Sequence, residues 1–398
     1  MSGLAAGHPF IYVAVNYRLA GFGFLAGKEL QKDGSTNLGL RDQRLGLEWV
    51  AENIEAFGGD PDKVTIWGES AGAISVFDQT VINGGDNTYN GKALFRGAIM
   101  DSGSIIPAVQ VNESKPQAVY DLVVSAGGCS GSADTLACLR SLSYEDFNNA
   151  VNAAPGIFSY DSVDLAYLPR PDSSNNFFSV SPNIAVENGK YAKVPIIIGD
   201  QNDEGTLFSL VQSNISTTDQ LITYLQSYFP NEDAKAAVPG LVATYPDNPA
   251  AGSPYNTGDL NEIYPQFKRL AAILGDITFT LARRGYLAAV SSTVPAWSYL
   301  DTHLYGTPVL GTFHASDLLS IYFDLPGPDP RPTYYTSFAY YLDPNKISNT
   351  GLINWPQYTK VGDNLLEIQG LQNNTLTPDT FRTASFNYLE QYENTFQV

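Results

Sequence analysis

The pentapeptide Gly68-Glu69-Ser70-Ala71-Gly72 has the G-x-S-x-G spacing of a nucleophile elbow. In such an elbow a strand runs into a sharp turn and a helix leaves it. The serine hydroxyl stands clear of the sheet edge, and the next backbone N–H, here that of Ala71, points into the same space. This is chemistry for acyl transfer: a hydroxyl to attack a carbonyl carbon and a donor to hold the oxygen as it turns negative. Gly68 and Gly72 are small enough for the turn to close. A plain glycine-rich connection has the same letters, so context must separate the two. Val64–Trp67 reads as a short buried strand, and a helical stretch follows from Ala71.

A serine needs a base, and the chain has three histidines. His8 lies near the N-terminus and His303 directly follows an apolar strand pattern, Ala296–Leu300. Both read as solvated or core residues. His314 sits in Gly311-Thr-Phe-His-Ala-Ser-Asp317, ahead of an apolar helical run, Leu318–Tyr322. It is the best base. The base needs an acid to orient its Nδ1–H, and in this arrangement the chain order is Ser, acid, His. Between Ser70 and His314, the apolar run Pro195–Gly199 ends in an acidic turn carrying Asp200, Asp203 and Glu204. Spacing leaves open which of the three serves.

The elements that must position these residues alternate along the first third of the chain. Phe10–Asn16 reads as a continuous apolar strand. Leu47, Val50, Ile54 and Phe57 follow at helical spacing and end at the Gly58-Gly59 cap pair. Gly97–Met100 is a further strand. A βαβαβ order implies a parallel sheet covered by helices. The region 104–193 reads as a mainly helical excursion above the sheet, after which Val194–Gly199 returns to it. The region 217–287 again reads helical, broken by a loop at Tyr245–Asp259. Asp324–Pro332 is a proline-rich loop and the end reads helical. The whole is an α/β chain of one domain, 1–398, with long helical insertions at 104–193 and 217–287.

Composition narrows the function classes. Hydrophobic residues make up 43% of the 398 and aromatics 12%, enough for a large core, which excludes a mainly disordered chain. The 22 basic against 41 acidic residues leave a net charge of −19. Such a surface repels phosphate backbones and anionic membranes, so a nucleic-acid partner is excluded. No apolar run reaches the roughly 18 residues of a spanning helix. No secretory signal opens the chain. Cys129 and Cys138 close a short loop if bonded; two buried free thiols are the other reading. Asn112, Asn214 and Asn373 each begin an N-x-S/T sequon. Low lysine content, abundant Tyr, Asn and Ser, and a possible disulfide lean towards a secreted protein. Ile74, Leu207, Phe208 and Phe313 stand near the motifs and fit an acyl pocket or the core equally.

The residues NYRLAGFGFL, NLGLRDQRLGLEWVAENIEAFGGDP, KVTIWGESAGA, YLPRPD, KVPIIIGDQNDEGT and GTFHASD together resemble the type-B carboxylesterase/lipase family. The resemblance is to its fungal branch, with the Candida- and Geotrichum-type lipases, and runs from about Pro9 to the C-terminus. It implies an α/β-hydrolase fold with a mostly parallel sheet and hydrolysis of carboxylic esters, the substrate a small ester or a lipid. It implies Ser70, Glu204 and His314 as the triad, with Glu69 and Ser102 as a supporting pair. It further implies a Cys129–Cys138 disulfide, a glycan at Asn214, secretion, and no metal or cofactor. Family members carry a long segment ahead of Asn16-Tyr17-Arg18. It holds a His-Gly-Gly type loop that adds oxyanion donors, a disulfide loop that acts as the lid in lipases, and the signal peptide. The chain is expected to be truncated relative to them, with its activity dependent on that segment. Two rival readings follow: a non-catalytic binding protein of the cholinesterase-like kind, which usually loses a triad residue, and an inactive remnant of an esterase.

Overall fold

The computed structural model describes residues 7–398. Strands β1 (Thr65–Glu69), β4 (Gly97–Asp101), β5 (Ile196–Gln201), β6 (Ala296–Asp301), β7 (Asn364–Ile368) and β8 (Thr375–Pro378) form one sheet in that spatial order; β2 (Thr88–Tyr89) and β3 (Lys92–Ala93) make a small separate hairpin. From β1 to β7 every pairing is parallel, and β8 joins β7 antiparallel. This is the expected α/β class.

The strand sequences explain the layering. A parallel strand is covered on both faces, so it carries a continuous apolar run instead of alternation. In β5, Ile196 and Ile198 enter one core while Ile197 enters the other. The first core lies under helix Ala71–Gly85, whose residues Ala73 to Ile82 are all buried. The second lies under helix Arg331–Tyr341, through Tyr334, Tyr335 and Phe338. Register brings the C-terminal ends level: Glu69 pairs with Asp101, Asp101 with Gly199, and Gln201 with Asp301. The elbow and the acidic turn therefore leave the same sheet edge, where sites form in open α/β sheets.

Between β4 and β5 run helices Ser114–Ala126, Thr135–Ser141, Tyr144–Val151 and Pro182–Glu187. Residues 152–181 between the last two carry no helix, so this excursion is less helical than its pattern suggests. Cys129 and Cys138 are bonded there, with Cys129 buried beside Tyr120, Val123 and Leu139. Between β5 and β6 run helices Thr218–Gln226 and Glu232–Ala243, then one long helix from Phe267 to Val290 interrupted by a π-helical turn, Asp276–Thr280. None of the described helices is long and apolar enough to cross a membrane.

Two expectations fail. Phe10–Asn16 is not a buried strand. It carries no regular secondary structure and has no ladder partner among the described residues, and Phe10, Tyr12 and Val13 are exposed. Its side chains rest on the flank of the fold, Val15 over Gly46, Ile11 by Gly59 and Tyr12 against Trp67. An apolar run predicts a strand only where a neighbour supplies the hydrogen bonds. The C-terminal region is not simply helical either. It contributes β7 and β8 before the last helix, Thr383–Gln391. Helix Leu38–Asn53 also begins well before Leu47, and a 3₁₀ turn, Ile54–Phe57, finishes it, which turns Phe57 out to solvent.

Candidate active site

Ser70 stands between β1 and helix Ala71–Gly85 with φ 55° and ψ −121°. For a residue with a Cβ this is a strained conformation, of a kind that persists only where neighbours impose it. The imposing contacts are visible. Ser70 N–H donates to the Asp101 carbonyl at 2.9 Å, and Ile74 N–H donates to the Ser70 carbonyl. A Cβ on Gly68 would sit 2.3 Å from the Gly72 backbone, and one on Gly103 would sit 2.6 Å from the Ser70 carbonyl oxygen. Gly68 is thus required by close approach, whereas a side chain on Gly72 would meet open space. Ala71 opens the helix and is exposed, so its N–H is one of the donors a helix leaves without an internal acceptor.

His314 lies on the loop after β6. Its Nε2 accepts from the Ser70 hydroxyl at 2.7 Å, and its Nδ1–H donates to Glu204 Oε2 at 2.6 Å. The other Glu204 oxygen accepts from Gln201 N–H at 2.7 Å. Three residues from remote parts of the chain form one hydrogen-bonded line. Of the three carboxylates that spacing left open, the other two are engaged elsewhere. Asp200 accepts from Arg283 Nε at 2.7 Å. Asp203 accepts from Ser253 Oγ, Tyr255 N–H and Thr312 N–H at 2.8–2.9 Å. His8 bonds Tyr341, and His303 rests against Gly370.

Burial dominates the electrostatics. It lowers the His314 imidazole below its ordinary value, against the carboxylates of Glu69 and Asp200, which pull the other way. The ring is therefore neutral near pH 7, as a base must be. Burial raises Glu204, while the Gln201 N–H opposes the rise. The Ser102 hydroxyl opposes it too, lying close by although outside hydrogen-bonding geometry. Glu69 comes within 3.4 Å of His314 Nε2, and no donor reaches its Oε1. Burial pushes its carboxyl up to about 8. Ser102, at φ 53° and fully buried, donates its N–H to Gly199. Both members of the expected supporting pair thus border the line of three.

Around this line the structure adds residues that the motifs do not contain. Phe208 and Phe279 lie with ring centroids 5.0 and 4.5 Å from the imidazole. Phe208 is near a motif; Phe279 is not. Gly205 presses its backbone against Ala271 and Gly275, so a Cβ there would fall 1.9 Å from the Ala271 oxygen. The three sequons lie apart: Asn112 half-buried before helix Ser114–Ala126, Asn214 exposed and donating to the Tyr160 hydroxyl, Asn373 exposed between β7 and β8.

Compared with known proteins, the chain matches the carboxylesterase family over residues 2–388. It is 54% identical to the secreted triacylglycerol lipase LIP1 of Gibberella zeae over 387 residues, covering 96% of this chain and 65% of that protein. It is 54% identical to secreted lipase 1 of Botryotinia fuckeliana, covering 97% and 68%. It is 43% identical to lipase 2 of Geotrichum candidum, covering 98% and 69%. The chain thus spans about two thirds of the length of these relatives. Its backbone resembles the crystal structure of Aspergillus niger EstA with a TM-score of 0.76 at 24% identity, over 96% of this chain and 74% of that one, which speaks to fold alone.

Proposed function

The chain belongs to the carboxylesterase family, and on that premise we propose that it hydrolyses carboxylic esters, lipid esters among them, through an acyl-enzyme on Ser70. The observation that carries the reading is the unbroken line from the Ser70 hydroxyl through His314 to Glu204, with contacts of 2.7 and 2.6 Å. His314 Nε2 takes the hydroxyl proton as Ser70 attacks the acyl carbon. Glu204 holds the Nδ1–H tautomer and stabilises the imidazolium that forms. Ala71 N–H is a donor to the oxyanion. The imidazolium then protonates the leaving alcohol, and water repeats the sequence on the acyl-enzyme. Glu69 and Ser102 support the pair, and Phe208 offers an apolar surface beside it.

A lipid substrate is supported by relatives named as triacylglycerol lipase and lipase. An extracellular setting is supported by their names as secreted proteins and by the Cys129–Cys138 bond. In that setting Asn214 and Asn373, both exposed, are glycan acceptors, and Asn112 is a poorer one because it is half-buried. The test is labelling of the purified chain by a fluorophosphonate, with peptide mapping, alongside hydrolysis of p-nitrophenyl esters of graded chain length. Label on Ser70, absent from Ser70→Ala, is expected. An unlabelled, folded chain refutes the catalytic reading of this chain and leaves the binding protein and the inactive remnant as the two readings.

A further inference from the structure

The π-helical turn Asp276–Thr280 interrupts an otherwise regular helix opposite the catalytic line, and nothing in the motifs accounts for it. On its N-terminal side, Gly275 and Ala271 contact Gly205, the residue after Glu204, closely enough that no Cβ fits on Gly205. Within it, Phe279 places its ring 4.5 Å from the His314 imidazole at a 37° tilt. Phe208 lies 5.0 Å from the same imidazole and stacks with Phe279 at 5.8 Å and 22°. The two rings, both about 3% exposed, form one wall behind the base.

We propose, resting on the triad reading above, that Phe279 is a positioning residue for His314, and that the π turn exists to place it there while the preceding α turn packs on the Glu204 turn. One residue of an α-helix corresponds to about 100° of rotation. An uninterrupted α-helix that kept Gly275 against Gly205 would therefore carry Phe279 away from the imidazole. Interruptions of this kind occur frequently at functional sites. The turn is held from its far side: Asp276 Oδ2 accepts from Arg382 Nε at 2.6 Å and from the Tyr245 hydroxyl at 2.9 Å. One segment thereby sets the position of the acid through Gly205 and of the base through Phe279.

The wall also sets the charge state of the base. The ionisable groups that face His314 are all acids: Glu204 at Nδ1, Glu69 at Nε2, whose carboxyl burial pushes up to about 8, and Asp200 from the acidic turn. Of the other acids on packed elements, Asp276 is tied to Arg382, and Asp317, on the loop's own helix, faces Arg331 at 3.7 Å. In their ionised form these acids draw His314 upward. Its titration is lowered because exclusion of water outweighs them, and Phe279 and Phe208 supply part of that exclusion.

The experiment reads His314 directly by NMR of the ¹⁵N-histidine-labelled chain, in which three histidines give separable signals, with His314→Gln for assignment. In the wild type, the His314 ring protons are expected upfield of free histidine, shifted by the facing rings, and the titration midpoint below 6.5. Phe279→Leu keeps an apolar side chain but removes the ring; its midpoint is expected to rise by about half a unit or more. Fluorophosphonate labelling of Ser70 at pH 7 is expected to slow about tenfold, since a slight misplacement of a catalytic group is costly. Phe279→Tyr keeps the ring and is expected to titrate as the wild type. A folded Phe279→Leu with unchanged midpoint overturns the proposal. So does a wild type without upfield ring protons, a result that needs no variant to fold. Neither outcome depends on turnover: if Ser70 fails to label at all, the triad reading falls and the histidine titration still reports on Phe279.

Discussion

Replacing Glu204 with Gln separates the roles of the three carboxylates in the acidic turn. Both Glu204 oxygens face N–H donors, His314 Nδ1 at 2.6 Å and Gln201 N at 2.7 Å. A glutamine has one acceptor and one donor at these places. If its oxygen stays on His314, its NH₂ collides with the Gln201 N–H. If it turns over, its NH₂ faces Nδ1, which must then accept, and the proton moves to Nε2, where the Ser70 hydroxyl needs an acceptor. That is the wrong-tautomer state, which in a serine protease triad lowers kcat about 10⁴-fold. At about 1.4 kcal/mol per decade this is some 5–6 kcal/mol of barrier, against about 1–3 kcal/mol of stability for the strained buried contact. Asp203→Asn should do the opposite. It disturbs acceptors of Ser253, Tyr255 and Thr312, so it costs stability first and activity through the loop that carries His314. Asp200→Asn leaves Arg283 paired with Asp379 and should cost less in rate than either. The assay is the second-order rate of fluorophosphonate labelling, with ester kcat and Tm measured on the same preparations. If Glu204→Gln labels within tenfold of wild type while Asp200→Asn or Asp203→Asn loses labelling without losing Tm, the acid has been misassigned.

Two further outcomes follow from the buried groups. Protonated His314 cannot accept the serine proton, and burial lowers it, so labelling of Ser70 should hold through mildly acidic pH and fall with a midpoint below 6.5; a fall centred above 7 would contradict the geometry. Asp78, on the helix that starts at the elbow, is fully buried, no donor reaches its Oδ2, and burial raises its carboxyl well above the ordinary value. A raised folded-state value means stability present at low pH and lost as pH rises from about 4 towards that value, at up to about 1.4 kcal/mol per pH unit. Asp78→Asn should therefore raise Tm at pH 7 and change it little at pH 4; equal effects at both would show that Asp78 has an unseen partner.

What was legible in the sequence is what local pattern determines. The strand before Ser70 and the helix after it are short-range features, and β1 and the helix from Ala71 lie where the apolar run and the glycines place them. The strands β4, β5 and β6 read clearly because a strand covered on both faces must be apolar along its length. The same rule misleads at Phe10–Asn16, where the run is equally apolar but no described strand hydrogen-bonds to it. It also fails at β7 and β8. Thr375–Pro378 is a short edge strand with mostly exposed residues, too polar and too brief to stand out from the loops on either side of it. Periodicity reports burial, and pairing depends on a neighbour that periodicity does not name.

The acidic turn shows the same limit at the level of chemistry. Asp200, Asp203 and Glu204 lie within five residues, and nothing local ranks them. The ranking is made by partners far along the chain: Arg283 for the first, the loops at 253–255 and 312 for the second, His314 for the third. Only the resemblance to a family pointed to Glu204 in advance, because a family pattern carries the record of such remote contacts. Phe279 was invisible for a further reason. Reading a helix by its period assumes 3.6 residues per turn throughout, and the π turn that contains Phe279 breaks that count at the ring that faces the base. A reader who keeps the α period from Phe267 onward assigns Phe279 the wrong bearing. The irregularity that hides it from the pattern is the same one that brings it to His314.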